Sequence, residues 1–222
     1  MKKFATFIFF LAMVSYYQVD AQISIGPKAG INIATLNGFP LGDDDDVDLR
    51  YATFLNIGAV AEIPLKDRLF IQPEISFIQK GLLAESEDSS FDDKAVLRLN
   101  YLDINALVKY KYLGETVGGY LGIGPYVGYA MSGIVKSEVN VGGTTVETET
   151  DLELGEDESG FNRFDFGFTF GGGLVVPIEN LPEFFLDVRY LLGITNLNDD
   201  DTDDADVSNR GIGITVGALF SL

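Results

Sequence analysis

The chain has 222 residues, a formal charge of −19, and neither cysteine nor histidine. That composition excludes a disulfide framework, thiolate chemistry and imidazole-based catalysis or metal ligation. The negative charge excludes the basic face a nucleic-acid partner needs, and the length allows one generous domain.

Residues 1–21 read as a secretory signal peptide. Lys2 and Lys3 form a positive start, 4–17 is mostly apolar, and Val19 and Ala21 occupy the −3 and −1 positions of a cleavage site. The mature domain then spans 22–222, with 13 basic and 33 acidic residues. No apolar run after the leader reaches the roughly 20 residues of a transmembrane helix.

From Ile23 onward the apolar residues recur with the period of two that marks strands. Strands are expected at 23–36, 55–63, 69–80, 102–110, 119–132, 164–176, 184–195 and 211–222. In the third, Leu69, Ile71, Ile75 and Phe77 face one way, and Gln72, Glu74, Ser76 and Lys80 the other. In the fourth, Leu102, Ile104, Ala106 and Val108 oppose Asp103, Asn105 and Lys109. In the sixth, Phe164, Phe166, Phe168 and Phe170 alternate with Asp165, Gly167, Thr169 and Gly171. In the last, Ile212, Ile214, Val216, Ala218, Phe220 and Leu222 share a face.

The connections alternate as well. Gaps at 64–68, 111–118 and 177–183 are short; those at 37–53, 82–96, 134–161 and 195–209 are long. The four long gaps hold 24 of the 33 mature acidic residues and three basic ones, so the remainder of the chain is nearly neutral. Short turns at one end, long acidic loops at the other and one apolar face per strand predict a fold class: an all-β, eight-stranded antiparallel up-and-down transmembrane β-barrel with long acidic extracellular loops. The segment 134–154 reads as a hairpin around Gly142-Gly143, either a solvated arm above the membrane or barrel strands nine and ten. The second option would put Glu147, Glu149, Asp151 and Glu153 at membrane depth.

The run Tyr101-Leu102-Asp103-Ile104-Asn105-Ala106-Leu107-Val108-Lys109-Tyr110-Lys111 resembles the mid-barrel strand of the PorT-like outer-membrane β-barrel family. Gly30-Ile31-Asn32, Gly122-Ile123-Gly124-Pro125-Tyr126 and Asn209-Arg210 are similar to other segments of that family. The resemblance implies an eight-stranded barrel in a Gram-negative outer membrane and no particular reaction. The last eight residues, Thr215-Val216-Gly217-Ala218-Leu219-Phe220-Ser221-Leu222, are similar to the insertion signal read by the barrel-assembly machinery, with Leu222 where an aromatic often stands. Outer-membrane lipid, that machinery during insertion and an envelope protein are the partners this implies.

Alternation projects Lys28, Glu62, Glu74, Lys80, Asp103, Lys109, Asp165, Asp187 and Arg189 inward. An eight-stranded barrel is just wide enough for its own side chains, so these charges form either a salt-bridged plug or a narrow path for ions or small solutes. Asp43–Asp46 and the run from Asp199 to Asp206 offer carboxylates; Asp199, Asp201 and Asp203 are the candidate ligands for a divalent cation. The alternative for both runs is a solvated acidic loop, and they lack the central glycine and closing glutamate of an EF-hand loop. Gly122-Ile123-Gly124 and Gly171-Gly172-Gly173 lie within strands rather than between strand and helix, so they read as close-packing positions, not phosphate loops. No carboxylate pair or Ser/Lys pair stands apart as a catalytic site, and no cofactor is expected. The chain reads as non-enzymatic, structural or interactive; the other readings are a narrow channel and a loop-borne binding module for cations or a protein.

Overall fold

A computed structural model describes residues 22–39, 47–86, 94–112, 114, 116–141, 144–152, 154, 161–179, 181–198 and 206–222. The leader 1–21, Asp43–Asp46, Gly142-Gly143 and the cation candidates Asp199, Asp201 and Asp203 lie outside these residues.

The strands are β1 (Ser24–Asn37), β2 (Val47–Arg50), β3 (Ala52–Lys66), β4 (Leu69–Ser86), β5 (Lys94–Tyr112), β6 (Gly118–Val141), β7 (Thr144–Leu152), β8 (Phe164–Val176), β9 (Glu183–Gly193) and β10 (Ser208–Ser221). Eight of them close a ring. Around it run β1, β3, β4, β5, β6, β8, β9 and β10, and β10 pairs back onto β1 from Ser24–Ser221 to Asn37–Ser208. Every neighbour is antiparallel, which gives the expected up-and-down barrel with both chain ends at the short-turn side. Closure leaves no unpaired ring edge to desolvate in lipid.

The outward side chains form one apolar band. On β5 it runs from Leu102 to Tyr112 at every second position. With a rise of about 3.3 Å per residue and a tilt of about 40°, that run stands about 25 Å tall, the height of a barrel's lipid band. Its upper limit is marked by outward polar groups that bond across three strands. Gln79 Nε2 donates to Asn100 Oδ1 at 2.9 Å, and Asn100 Nδ2 donates to Ser132 Oγ at 2.8 Å.

Three strands continue past that limit. The sequence places 82–96 in a loop, but β4 reaches Ser86 and β5 begins at Lys94. It ends the fifth barrel strand at 132, but β6 reaches Val141. β2 pairs with the upper part of β4, and β7 with the upper part of β6. The hairpin at 134–154 is therefore an arm above the membrane rather than barrel strands nine and ten: β7 takes no place in the ring.

The charged lumen and the extracellular sheet as the candidate functional site

Because side chains alternate across a strand, the residues between the outward apolar ones have only the lumen to occupy. All nine charged residues projected inward from sequence are buried there. They form three groups.

Near the short turns, Glu62 from β3 accepts from Lys109 Nζ at 2.8 Å and from Lys111 Nζ at 2.6 Å. Lys111 also reaches Glu183 at 2.7 Å, and Lys109 donates to Gln72 Oε1 at 2.6 Å. The Lys109 ammonium sits 3.8 Å from the Tyr120 ring centroid, which adds a cation–π contact. At mid-height Glu74 accepts from Lys28 at 2.5 Å and from Arg189 at 2.7 Å. Arg189 Nε donates to Asp187 at 2.8 Å, and its outer nitrogen bonds the same carboxylate. Gln72 links the two groups by donating to Glu74. In the upper lumen Lys80 lies between Asp103 and Asp165, at 2.8 and 3.0 Å, and over the rings of Tyr101 and Tyr126 at 4.5 and 4.4 Å. Asp165 accepts further bonds from Tyr126 Oη at 3.1 Å and Asn209 Nδ2 at 2.8 Å.

Lys111 was missed by sequence reading, because it sits where a turn was expected to begin. Its position two residues after Lys109 on the same face was the available signal. With it, five buried cations (Lys28, Lys80, Lys109, Lys111, Arg189) meet five buried anions (Glu62, Glu74, Asp103, Asp165, Asp187). The sum is zero, so these buried groups need no further counter-ion.

Apolar side chains flank the charges. Leu36, Ile78, Leu82, Leu97, Leu99, Tyr101, Ala130 and Leu191 from the wall close over the extracellular end with Leu154, Leu197 and Val207 from the long connections. Val60, Tyr120, Val175, Phe185 and Leu219 form a second cluster among lower wall residues. Between the mid-height and upper groups a cavity of about 30 Å³ remains, lined by Asn56, Ser76, Asn105, Thr169 and Thr215 among others. Asn56 Oδ1 and Ser76 Oγ, both at its wall, have no protein hydrogen-bond partner among the described residues. That is room for about two water molecules, not for a solute.

Of the glycines read as packing positions Gly173 does that work, and Gly167, not singled out in the sequence, does the same. A Cβ on Gly173 would press on the Leu186 carbonyl oxygen and lie 2.7 Å from Tyr120 Cζ, and one on Gly167 would press on the Leu192 carbonyl oxygen and lie 2.6 Å from Tyr126 Cε1. Each glycine stands directly across from the ring it admits.

Among the described residues, the protruding sheet carries charge outside the membrane. Asp48, Glu85, Lys94, Glu138 and Glu147 follow one another across five strands as directly opposed residues. Lys94 and Arg50 pair with Glu85, at 3.1 and 2.6 Å, and Lys136 pairs with Glu149 at 2.7 Å. The hydrogen bond from Lys136 holds the Glu149 carboxyl below its ordinary pKa.

A closed ring of eight strands, an apolar outer band and a neutralised polar interior define a transmembrane β-barrel. Residues 16–199 match the family model "Outer membrane protein beta-barrel domain", and the chain belongs to that family. It is an outer-membrane protein. Solved structures it is similar to include Neisserial surface protein A (NspA), 14% identical over 89% of this chain and 97% of that one, TM-score 0.45. Others are the outer membrane protein OprG from Pseudomonas aeruginosa, 11% identical over 91% and 97%, TM-score 0.47, and Ail of Yersinia pestis in complex with the heparin analogue sucrose octasulfate, 13% identical over 91% and 100%, TM-score 0.40. Among curated proteins, none matches this sequence.

Proposed function

We propose that this protein is a closed, non-enzymatic barrel of the PorT-like kind, which anchors and displays an acidic extracellular surface for interaction. The observation that carries the reading is the lumen. Ten buried, ion-paired charges sum to zero, apolar clusters accompany them, and the space left at the centre is about 30 Å³. A filled lumen offers a solute no route, and unpaired charge that would favour an ion path is missing among the described residues. The PorT-like assignment is supported by where its motif residues fall. Asn32, Tyr101, Asp103, Lys109, Tyr126 and Asn209 are all buried lumenal residues. Export by the signal segment 1–21, insertion through the barrel-assembly machinery and an envelope partner belong to the same proposal, supported by the leader composition and the amphipathic end of β10.

The test is planar-bilayer recording on the purified, refolded chain. The expected result is no steady conductance. A reproducible open channel in the unmodified protein would favour a narrow solute or ion path instead.

A further inference from the structure

Above the lipid band the described residues continue the wall as a five-stranded sheet in the order β2, β4, β5, β6, β7. Among the described residues β7 pairs with β6 alone. Its opposite edge therefore presents backbone N–H and C=O groups with no strand of the described residues beside them. β7 is nine residues long and has no proline, and Thr145 to Asp151 are exposed. Edge strands of soluble and surface proteins are usually short, bulged or interrupted by proline, because an open edge is a template for another strand.

The side chains specify what that strand would carry. Glu147, Glu149 and Asp151 alternate on one face of β7; Val146, Thr148, Thr150 and Leu152 occupy the other. Glu147 lies directly opposite Glu138, and neither has an ion-pair partner among the described residues. Like charges so opposed repel, and a cation on the open side of Glu147 would relieve this. A second copy of this chain is the wrong occupant. Antiparallel pairing of β7 with itself would set a row of three carboxylates against the same row, and the repulsion excludes it.

We infer that the free edge of β7 is a docking site for an extended segment of a partner protein, which adds as a sixth strand with lysine or arginine facing Glu147 and Asp151, on either side of the Lys136–Glu149 pair, and β-branched residues between. Main-chain bonds would supply the pairing and the alternating charges the register and selectivity. The inference rests on the display reading, but its test is independent of the lumen.

The full chain, refolded in detergent, is titrated with a peptide of the length of β7, nine residues, alternating lysine with valine and threonine. Binding is followed by fluorescence anisotropy and by amide exchange at residues 144–152. Expected are saturable binding and slowed exchange along β7. Combined Glu147→Lys, Glu149→Lys and Asp151→Lys should weaken binding by at least about tenfold, since the exposed pairs to Glu147 and Asp151 are lost, Glu149 is taken from Lys136 and the new lysines repel the peptide. These positions are exposed, so the variant keeps its barrel, which its heat-modifiable migration confirms. Two peptides N-methylated on alternate nitrogens, offset by one residue, separate strand addition from charge attraction, because alternate amides point to opposite edges. One should bind like the parent and the other should fail. Equal binding of both, no binding of the parent peptide, or self-association through β7 in sedimentation would each overturn the inference. Conductance is a separate reading, so failure of the closed-lumen proposal is recognised apart from failure here.

Discussion

Lys80 shows at the level of one residue how this barrel tolerates charge inside. Its side chain is 2% exposed, and a lone ammonium so placed would be expensive. Two carboxylates and two aromatic faces surround it, drawn from β5, β6 and β8. Lys80→Met should therefore cost about 3–5 kcal/mol, because it strands Asp103 and Asp165 rather than because the pair itself is strongly stabilising. Adding Asp103→Asn and Asp165→Asn to that variant should restore most of the loss. Urea titration in detergent, read by intrinsic tyrosine fluorescence, measures both. If the triple variant is as unstable as the single one, stranded charge is not the cause. Gly173 makes the complementary point about space. Gly173→Ala would push a methyl first against the Leu186 carbonyl oxygen and then into the Tyr120 ring, and should cost about 1–3 kcal/mol by overpacking. Tyr120→Leu in the same chain should relieve the part that comes from the ring, and independent, additive losses would show that the Leu186 backbone alone sets the cost.

At the scale of the element, nearly everything inside the lipid band was legible from alternation, and the departures have a physical cause. β6 is the clearest. Below Ala130 its even-numbered residues are lumenal: Tyr120, Gly124, Tyr126, Gly128, Ala130. Above, Gly133 and Val135 turn inward. The switch is a β-bulge: Asn100 pairs with Ser132 and Tyr101 with Ala130, so Met131 is the extra residue. A period of two read along the chain breaks at that point, and a strand appears to end where it only changes phase. β4 and β5 were cut short for a different reason. Above the polar limit at Gln79 and Asn100 the outward positions become Glu85, Lys94 and Arg98, and a lipid-facing pattern gives no warning that pairing goes on in water. The lumenal groupings were beyond sequence altogether, since strand tilt decides which inward residues share a height. β10 has no such break, and its facing follows parity: Val216 is 57% exposed and Thr215 6%. Val216→Arg should cost roughly 2–4 kcal/mol if it lies near the midplane and less toward the interface, while Val216→Leu should be neutral. Refolding into liposomes checks this, and equal tolerance of both would mean the outward face is assigned one residue out of register.

The whole molecule separates its charge by compartment. The buried lumenal groups sum to zero, whereas the whole chain carries −19, concentrated in the sequence between barrel strands. In the closed barrel we propose, neutrality inside would remove the electrostatic reason for ions to enter, and the filled lumen would remove the route. The obstruction is also distributed. The mid-height group around Glu74 is separated from the upper group by a cavity, and the extracellular cluster around Leu99 and Tyr101 stands over both. This gives a prediction about a single breach. Arg189→Ala would enlarge the central cavity and leave Asp187 without its partner, which should lower stability by about 3–5 kcal/mol. Lys28 would still hold Glu74, Lys80 would still hold Asp103 and Asp165, and the apolar lid would be untouched. The variant should thus be less stable yet remain electrically silent in a planar bilayer. Steady conductance from Arg189→Ala alone would mean that the lumen has one gate at mid-height rather than several independent closures. The lid of Leu154, Leu197 and Val207 would then have to be an opening rather than a seal.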